Sequence, residues 1–209
     1  MEKLITSIIE IRKSHLGQTI HGRMQEFRLK GNEGEQEIFK ELCFCLLTAN
    51  YTSEGAIRIQ KAIEDGFHNL PLKDLAAKLK SLGYRFPNAR ARYIVEARKH
   101  SQELNRILST YTGPVLREWF VENVLGLGYK EASHFLRNIG HDGFAIIDFH
   151  VIDVLSEYGI IERPKSKSLS KKIYLETEAQ LEKLCIRLSM TQGELDLYLW
   201  YLETGKILK

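Results

Sequence analysis

Apolar residues recur at the three- and four-residue spacing of an α-helix along most of this chain. In residues 34–48, Ile38, Leu42 and Cys45 share one stripe, and residues 69–82 repeat the pattern with leucines. Only four prolines interrupt 209 residues, and no segment alternates apolar and polar side chains as a half-buried strand does. These patterns predict an all-α protein of about ten short helices.

Local signals mark where two of these helices begin. Pro114 suits the first position of a helix over residues 113–124, because proline lacks an N–H group that this position leaves unbonded. Thr191 and Glu194 have the spacing of a capping box, which predicts a helix over residues 191–203.

The composition excludes several classes of protein. The hydrophobic share of 44% with 27% charged residues is typical of a globular chain and excludes a disordered one. The net charge of +3 is too small to indicate a polyanionic partner by itself. No apolar run reaches the roughly 18 residues of a membrane span, and the charged N-terminus is unlike a signal peptide. We therefore expect a soluble, cytoplasmic protein without a membrane partner.

The three cysteines are Cys43, Cys45 and Cys185. They are too few for a disulfide framework and one short of a four-cysteine zinc or iron–sulfur site. The sequence therefore predicts no metal site built from cysteine.

Two predicted helices are joined by the short segment Leu125, Gly126, Leu127 and Gly128. Glycines allow a tight turn and leave backbone N–H groups uncovered, and such groups at the start of a helix favour an anion such as a DNA phosphate. A hairpin of this kind grips the DNA backbone without reading sequence. An ordinary turn between helices is the alternative interpretation.

A second segment, residues 163–172, is rich in serine and lysine and has no apolar stripe. It fits a solvated linker, and the alternative is a phosphate contact through a residue such as Lys165.

Lys130 and Asp148, which follow the hairpin in sequence, are candidate catalytic residues. Lys130 falls in the first turn of the second hairpin helix, and Asp148 precedes a later helix. Separately they fit a surface lysine and a helix N-cap. Together they offer a nucleophilic amine and a carboxylate that can stabilise a cationic sugar and move protons.

The segments LGLGYKEASHFLRNIG and AIIDFHVIDVL resemble the helix-hairpin-helix and aspartate signature of the DNA base-excision glycosylases. The segments GYRFPNARARYI and LYLWYLETGKILK resemble one branch, the archaeal-type 8-oxoguanine DNA glycosylase/AP lyases. The resemblance covers most of the chain and is less distinctive before residue 35.

This resemblance implies a bifunctional enzyme. Lys130 would attack C1′ of the flipped nucleoside and form a Schiff base, after which β-elimination cleaves the strand 3′ to the abasic sugar. Asp148 would help to deprotonate or orient the amine and would support the developing oxocarbenium ion. The endonuclease III branch carries four cluster-binding cysteines near its C-terminus, where this chain has only Cys185.

The resemblance also implies roles for the base pocket. Phe86 would stack on the extruded base, with a core anchor as the alternative. Trp200 would form the other wall, and Asp196 would contact the lesion or its sugar-phosphate; otherwise Trp200 is core and Asp196 is solvated. The α-carboxylate of Lys209 would help to recognise the base, unless the C-terminal segment is simply frayed.

Other residues would contact DNA outside the pocket. Asn50 would bond the estranged base, although it also fits a helix C-cap. The further candidates for DNA contacts are Arg90, Arg92, Leu125, Gly126, Leu127 and Gly128.

The implied fold has two helical subdomains that bind DNA across a cleft. A helical barrel of residues 36–135 would carry the hairpin, and residues 1–35 and 136–209 would form the other subdomain. We expect a nucleoid-associated monomer whose partner is double-stranded DNA containing 8-oxoguanine. It would need no cofactor and no iron–sulfur cluster, and hairpin carbonyls would hold a monovalent cation. Two alternatives stay open: a glycosylase for oxidised pyrimidines, and a non-catalytic DNA-binding module.

Overall fold

The computed structural model describes residues 1–166 and 169–209. Within these residues all regular structure is helical, which confirms the all-α prediction. The helices are α1 (Glu2–Lys13), α2 (His15–Lys30), α3 (Glu35–Thr48), α4 (Ser53–Ile63), α5 (Gly66–Asn69), α6 (Leu72–Ser81), α7 (Pro87–Ala97), a 3₁₀-helix (Arg98–His100), α8 (Leu104–Thr110), α9 (Gly113–Asn123), α10 (Tyr129–Asn138), α11 (Phe149–Glu157), α12 (Lys171–Leu188) and α13 (Gln192–Thr204).

The described residues contain more helices than the sequence predicts, and one predicted helix begins later than expected. The helix expected over residues 69–82 is α6, which begins only after Pro71, and a separate short helix, α5, ends at Asn69. Leu70, directly before the proline, is extended with φ −62° and ψ 131°. A residue that precedes proline is pushed out of the helical region by the pyrrolidine ring, so α5 ends and α6 begins anew.

The predicted capping signals are present at the helix starts. The side chain of Thr191 accepts a hydrogen bond from the Glu194 N–H at 3.2 Å, which confirms the cap of α13. Pro114 lies in the first turn of α9. These ends agree with the sequence because each depends on residues a few positions apart.

The chain divides into two compact units. One unit comprises Met1–Leu29 and Leu136–Lys209, and the other comprises Lys30–Phe135, which we call the hairpin unit. The first division therefore falls at residues 29/30, where the sequence places it at 35/36. The second division lies inside α10, so this helix contributes its first turns to the hairpin unit and its last turn to the other, which we call the terminal unit.

The hairpin unit is built around α3, which is buried along nearly its whole length from Ile38 to Thr48. Helices α4, α5, α7 and α8 pack on α3, and α6 packs on α7. Phe120 of α9 and Phe135 of α10 meet edge to face with ring centroids 4.9 Å apart. This core fixes the two helices that flank the hairpin.

The terminal unit packs α11 and α12 against α13, and α1 against α12. Tyr198 and Leu4 are among its fully buried side chains. The hydroxyl of Tyr174 on α12 donates to Ala145 O at 2.7 Å and accepts from Ile147 N at 3.2 Å. These bonds hold the segment that leads into Asp148 and α11.

Within the Ser/Lys-rich segment 163–172, Lys167 and Ser168 lie outside the described residues. Lys165 is exposed, and the Ser170 side chain caps α12 by accepting from Ile173 N at 3.3 Å. No described helix is both long and apolar enough to cross a membrane.

Candidate active site

The predicted hairpin lies between α9 and α10. Gly126 adopts φ +90°, the left-handed region that favours glycine. A Cβ on Gly126 would lie 2.4 Å from Cδ2 of Tyr93, so the ring occupies the space that a side chain would need. Leu127 is buried and Leu125 is exposed. The turn is thus anchored by one leucine, and its backbone runs along the surface of the hairpin unit.

Polar contacts between α9 and α10 hold the hairpin in shape. The buried Arg117 donates from Nη1 to Ser133 Oγ at 3.3 Å. Its guanidinium carbon lies 5.0 Å from the ring centroid of Tyr129, and the Tyr129 hydroxyl donates to Glu118. Because Tyr129 is the first residue of α10, these contacts also fix the start of the helix that carries Lys130.

Replacing Gly126 with Ala should destabilise the protein by about 2–4 kcal/mol, since alanine resists positive φ and its Cβ would overlap Tyr93. Gly83→Ala is the matched control, because Gly83 has φ +79° but nothing within 4 Å of an added Cβ. It should cost only about 1–2 kcal/mol. Denaturant unfolding measures both; equal losses would show that the contact with Tyr93 contributes nothing.

Lys130 is the second residue of α10, with 24% of its side chain exposed. Its Nζ lies 3.7 Å from Oε1 of Glu131, whose side chain is 15% exposed. The sequence analysis does not predict this neighbour, because successive residues on a helix normally do not face each other. The amine thus lies at the surface of the hairpin unit with a carboxylate next to it.

Phe86 immediately precedes α7 and is 41% exposed. The guanidinium carbon of Arg85 lies 4.9 Å from its ring centroid. Its exposed ring can stack on a planar group from outside the unit, which a core anchor could not do.

Arg90 and Arg92 occupy different environments. Arg90 is buried, and its guanidinium donates to the Tyr84 hydroxyl at 3.0 Å and to Ala49 O at 2.9 Å. It therefore stabilises the end of α3 inside the hairpin unit. Arg92 is exposed and can reach an external anion.

Asn50 is exposed and has φ +59°. It directly follows Ala49, the C-cap of α3, so it occupies the turn that ends this helix.

In the terminal unit, Asp148 is the N-cap of α11. Its Oδ1 accepts from the Val151 N–H at 3.0 Å. The preceding segment is fixed by the Tyr174 bonds and by Ala145 N, which donates to Glu178 at 3.0 Å. Capping occupies Oδ1, and the carboxylate retains Oδ2 for a second role.

Asp196 and Trp200 lie one turn apart on α13. Asp196 is not a solvated side chain: it is 11% exposed and forms an ion pair at 2.9 Å with Arg137, a residue that the sequence analysis does not single out. The ring of His150 meets Trp200 edge to face at 4.6 Å. The Trp200 Nε1 is buried and has no hydrogen-bond partner among the described residues.

The residues after α13 continue directly from this helix. Gly205 ends α13 with φ +70°, and Ile207, Leu208 and Lys209 are each partly buried. The terminal segment thus packs on the protein rather than projecting from it.

The cysteines are buried thiols in the two cores. Burial raises the pKa of Cys185 to about 12, so this thiol is protonated at neutral pH. Over the described ranges, no group of three or more His, Cys, Asp or Glu side chains could hold a metal ion.

Comparison with known proteins gives consistent matches. The family model described as 8-oxoguanine DNA glycosylase (Ogg-HhH) matches residues 20–190. A relative from Korarchaeum cryptofilum, named 8-oxoguanine DNA glycosylase/AP lyase, is 50% identical over 100% of this chain and 99% of its own. A relative of the same name from Methanocaldococcus jannaschii is 49% identical over 99% of each chain. The crystal structure of the Methanocaldococcus jannaschii 8-oxoguanine glycosylase/lyase with a 15mer DNA containing 8-oxoguanine has a TM-score of 0.95 and 48% identity, covering 99% of this chain and 100% of that chain.

Proposed function

The chain belongs to the family of 8-oxoguanine DNA glycosylases, and on that premise we propose that it excises 8-oxoguanine and cleaves the DNA strand through a Schiff base on Lys130. It is a DNA-repair enzyme of the 8-oxoguanine DNA glycosylase/AP lyase type. The observation that carries the Schiff-base proposal is the position of Lys130, a partly exposed amine two residues after the glycine hairpin of a family member.

In the proposed first step, the Nζ lone pair of Lys130 attacks C1′, and the bond between C1′ and the base nitrogen breaks. The electron pair of that bond leaves with the base, which takes up a proton. Positive charge develops on the sugar during this step, and the Asp148 carboxylate lowers its energy electrostatically. Asp148 also accepts the proton that the attacking amine must lose.

In the second step the sugar ring opens and leaves an imine between Nζ and C1′. A proton is then lost from C2′, and the electron pair of that C–H bond forms a double bond between C2′ and C3′. The bond between C3′ and the phosphate oxygen breaks, and this β-elimination cleaves the strand. Water then hydrolyses the imine and regenerates Lys130. A covalent enzyme–DNA intermediate is therefore an obligatory part of the proposal.

The remaining candidate residues bind DNA or the base. The backbone of Leu125, Gly126, Leu127 and Gly128 binds a phosphate through N–H groups other than that of Leu127, which donates to Val124 O at 3.1 Å, and Arg92 adds charge. Asn50 contacts the estranged base, and Arg90 supports that turn indirectly through Ala49 O. Phe86 and Trp200 stack on the flipped base, and Asp196 and Lys209 bind its polar edge.

The binding context follows from the substrate. The partner is duplex DNA containing 8-oxoguanine, and the protein acts on it as a monomer at the nucleoid. Hairpin carbonyls bind a monovalent cation in the DNA complex. No cofactor takes part in the chemistry, because the lysine amine supplies the nucleophile.

A single-turnover assay on duplexes carrying 8-oxoguanine, thymine glycol or uracil tests the function. We expect cleavage of the 8-oxoguanine duplex and a borohydride-trapped adduct on it. Preference for thymine glycol would favour the oxidised-pyrimidine alternative. Binding without cleavage or trapping on any duplex would favour the non-catalytic module.

Deleting residues 207–209 should strongly impair excision of 8-oxoguanine, because the deletion removes Lys209 from the base pocket. Cleavage at a preformed abasic site should persist, since no base remains to be recognised there. A matched variant with residues added after Lys209 keeps the side chains and tests the α-carboxylate itself. Wild-type rates of excision in both variants would show that residues 207–209 do not take part in recognising the base.

A further inference from the structure

Arg137 and Asp196 form a buried ion pair inside the terminal unit. The side chains are 2% and 11% exposed, and Nη1 of Arg137 lies 2.9 Å from Oδ2 of Asp196. Arg137 Nε donates to Asn138 Oδ1 at 2.8 Å, and its guanidinium carbon lies 4.6 Å from the Phe27 ring centroid. The guanidinium is thus held by an ion pair, a hydrogen bond and a stacked ring, which together fix its orientation.

Stability alone does not account well for this arrangement. Removing two charges from water is costly, and apolar replacements of a buried pair are often neutral or stabilising. Arg137 is also packed closely against Gly193 in the first turn of α13: a Cβ there would lie 2.6 Å from Arg137 Cγ and 3.1 Å from the Asp142 Cα, so both neighbours favour glycine. Glycine in a helix costs roughly 0.5–1 kcal/mol relative to alanine. Burial of the pair is therefore costly, and part of the reason for glycine at position 193 is the space that Arg137 occupies.

The surroundings of Asp196 explain why its carboxylate needs a cation. Asp196 lies in a closely packed and mostly apolar environment that includes Ala145, Ile146, Val151 and Leu199. In such surroundings a carboxylate persists as an anion only when a positive group pairs with it. An anionic, fixed carboxylate accepts hydrogen bonds and cannot donate them.

We propose that Arg137 is a positioning residue that holds Asp196 as an oriented, acceptor-only carboxylate for the N–H donors of the flipped base. This inference rests on the proposed function, which places Asp196 at the base. It adds that base recognition depends on a residue that itself touches no DNA. Arg137 reaches the base only through Asp196, so its removal should affect the step that recognises the base and spare the step that follows.

The test compares two reactions in the full-length protein. Arg137→Met should lower single-turnover excision of 8-oxoguanine roughly 100-fold, the scale of effect expected when a binding group is misplaced by about 1 Å. Cleavage of a preformed abasic site by the same variant should stay close to the wild-type rate. In an Asp196→Asn background, adding Arg137→Met should cause little further loss, because both changes remove one interaction.

Arg28→Gln is the matched control. Arg28 pairs with Asp142 in the same unit at 3.2 Å, but its side chain is 54% exposed. Both reactions should keep their wild-type rates in this variant. Arg137→Lys keeps the positive charge but not the planar guanidinium, so its excision rate should fall less than that of Arg137→Met.

Several results would overturn the inference. One is a folded Arg137→Met variant that excises 8-oxoguanine at the wild-type rate. Another is a variant in which both reaction rates and the melting temperature fall in parallel. Fully additive losses in the double variant would mean that Arg137 does not act through Asp196. If Arg137→Met fails to fold, the test uses Arg137→Lys. A lower excision rate with unchanged cleavage of the abasic site would support the positioning role. Equal losses in both reactions, or no loss in either, would contradict it. Failure of the wild-type protein to excise 8-oxoguanine would instead refute the proposed function.

Discussion

Lys130→Gln should abolish the covalent protein–DNA adduct that borohydride traps on a duplex containing 8-oxoguanine. Glutamine is similar in length but has no basic amine, so it cannot form an imine with C1′. Strand cleavage should be lost with the adduct, whereas binding of the lesion duplex should be largely retained. The measurements are denaturing electrophoresis of the trapped adduct and a binding titration on the same duplex.

A matched control separates the amine from simple loss of charge. Lys78→Gln removes one positive charge from an exposed position of α6 in the same unit. It should leave trapping and cleavage unchanged. Lys130→Gln also leaves Glu131 without its 3.7 Å ion pair, but such a partly exposed pair contributes only about 0–1 kcal/mol. An adduct that still forms in the folded Gln variant would assign the nucleophile to another residue.

Asp148→Asn should reduce catalysis by roughly 100- to 10,000-fold, the range for loss of a general acid or base. Asparagine can neither accept the proton from the amine nor offset the positive charge on the sugar. Stability should change by less than about 1 kcal/mol, because Asn is also a good N-cap and can accept from the Val151 N–H. Single-turnover rates and thermal unfolding of the same preparation measure the two effects.

Asp148→Ala is the comparison for the capping role. It removes the carboxylate and the cap together, so it should lose catalysis and about 1 kcal/mol of stability. If Asp148→Asn loses melting temperature and activity in proportion, capping would account for the residue. If it keeps both, Asp148 has no part in the reaction.

The features that depend on residues close in sequence could be predicted without a structure. The Thr191 cap of α13 and the start of α9 at Pro114 involve side chains and backbone groups within a few positions of each other. The glycine hairpin is a further example, since glycine is the residue that most readily adopts the positive φ of Gly126. The family resemblance rests on the same kind of information, because its motifs are short and contiguous.

The environments of individual charged residues could not be predicted in this way. Arg90 and Arg92 belong to one helix and have the same chemistry, yet Arg90 is buried against Ala49 O and Arg92 is exposed. Which arginine faces the core depends on how α7 packs on the end of α3. That packing cannot be inferred from the residue type or from the neighbouring sequence.

By itself, therefore, the sequence determined the helical fold class, the hairpin, the candidate amine and carboxylate, and the family. The tertiary structure decided which charges are buried and which residues they pair with. Arg137 meets Asp196 from 59 positions away, and glycine is favoured at position 193 because Arg137 and Asp142 both lie within 3.1 Å of where a Cβ would be. The physical reason is the range of the interactions: helix caps and turns form within a few residues, whereas buried ion pairs form only after distant helices have packed.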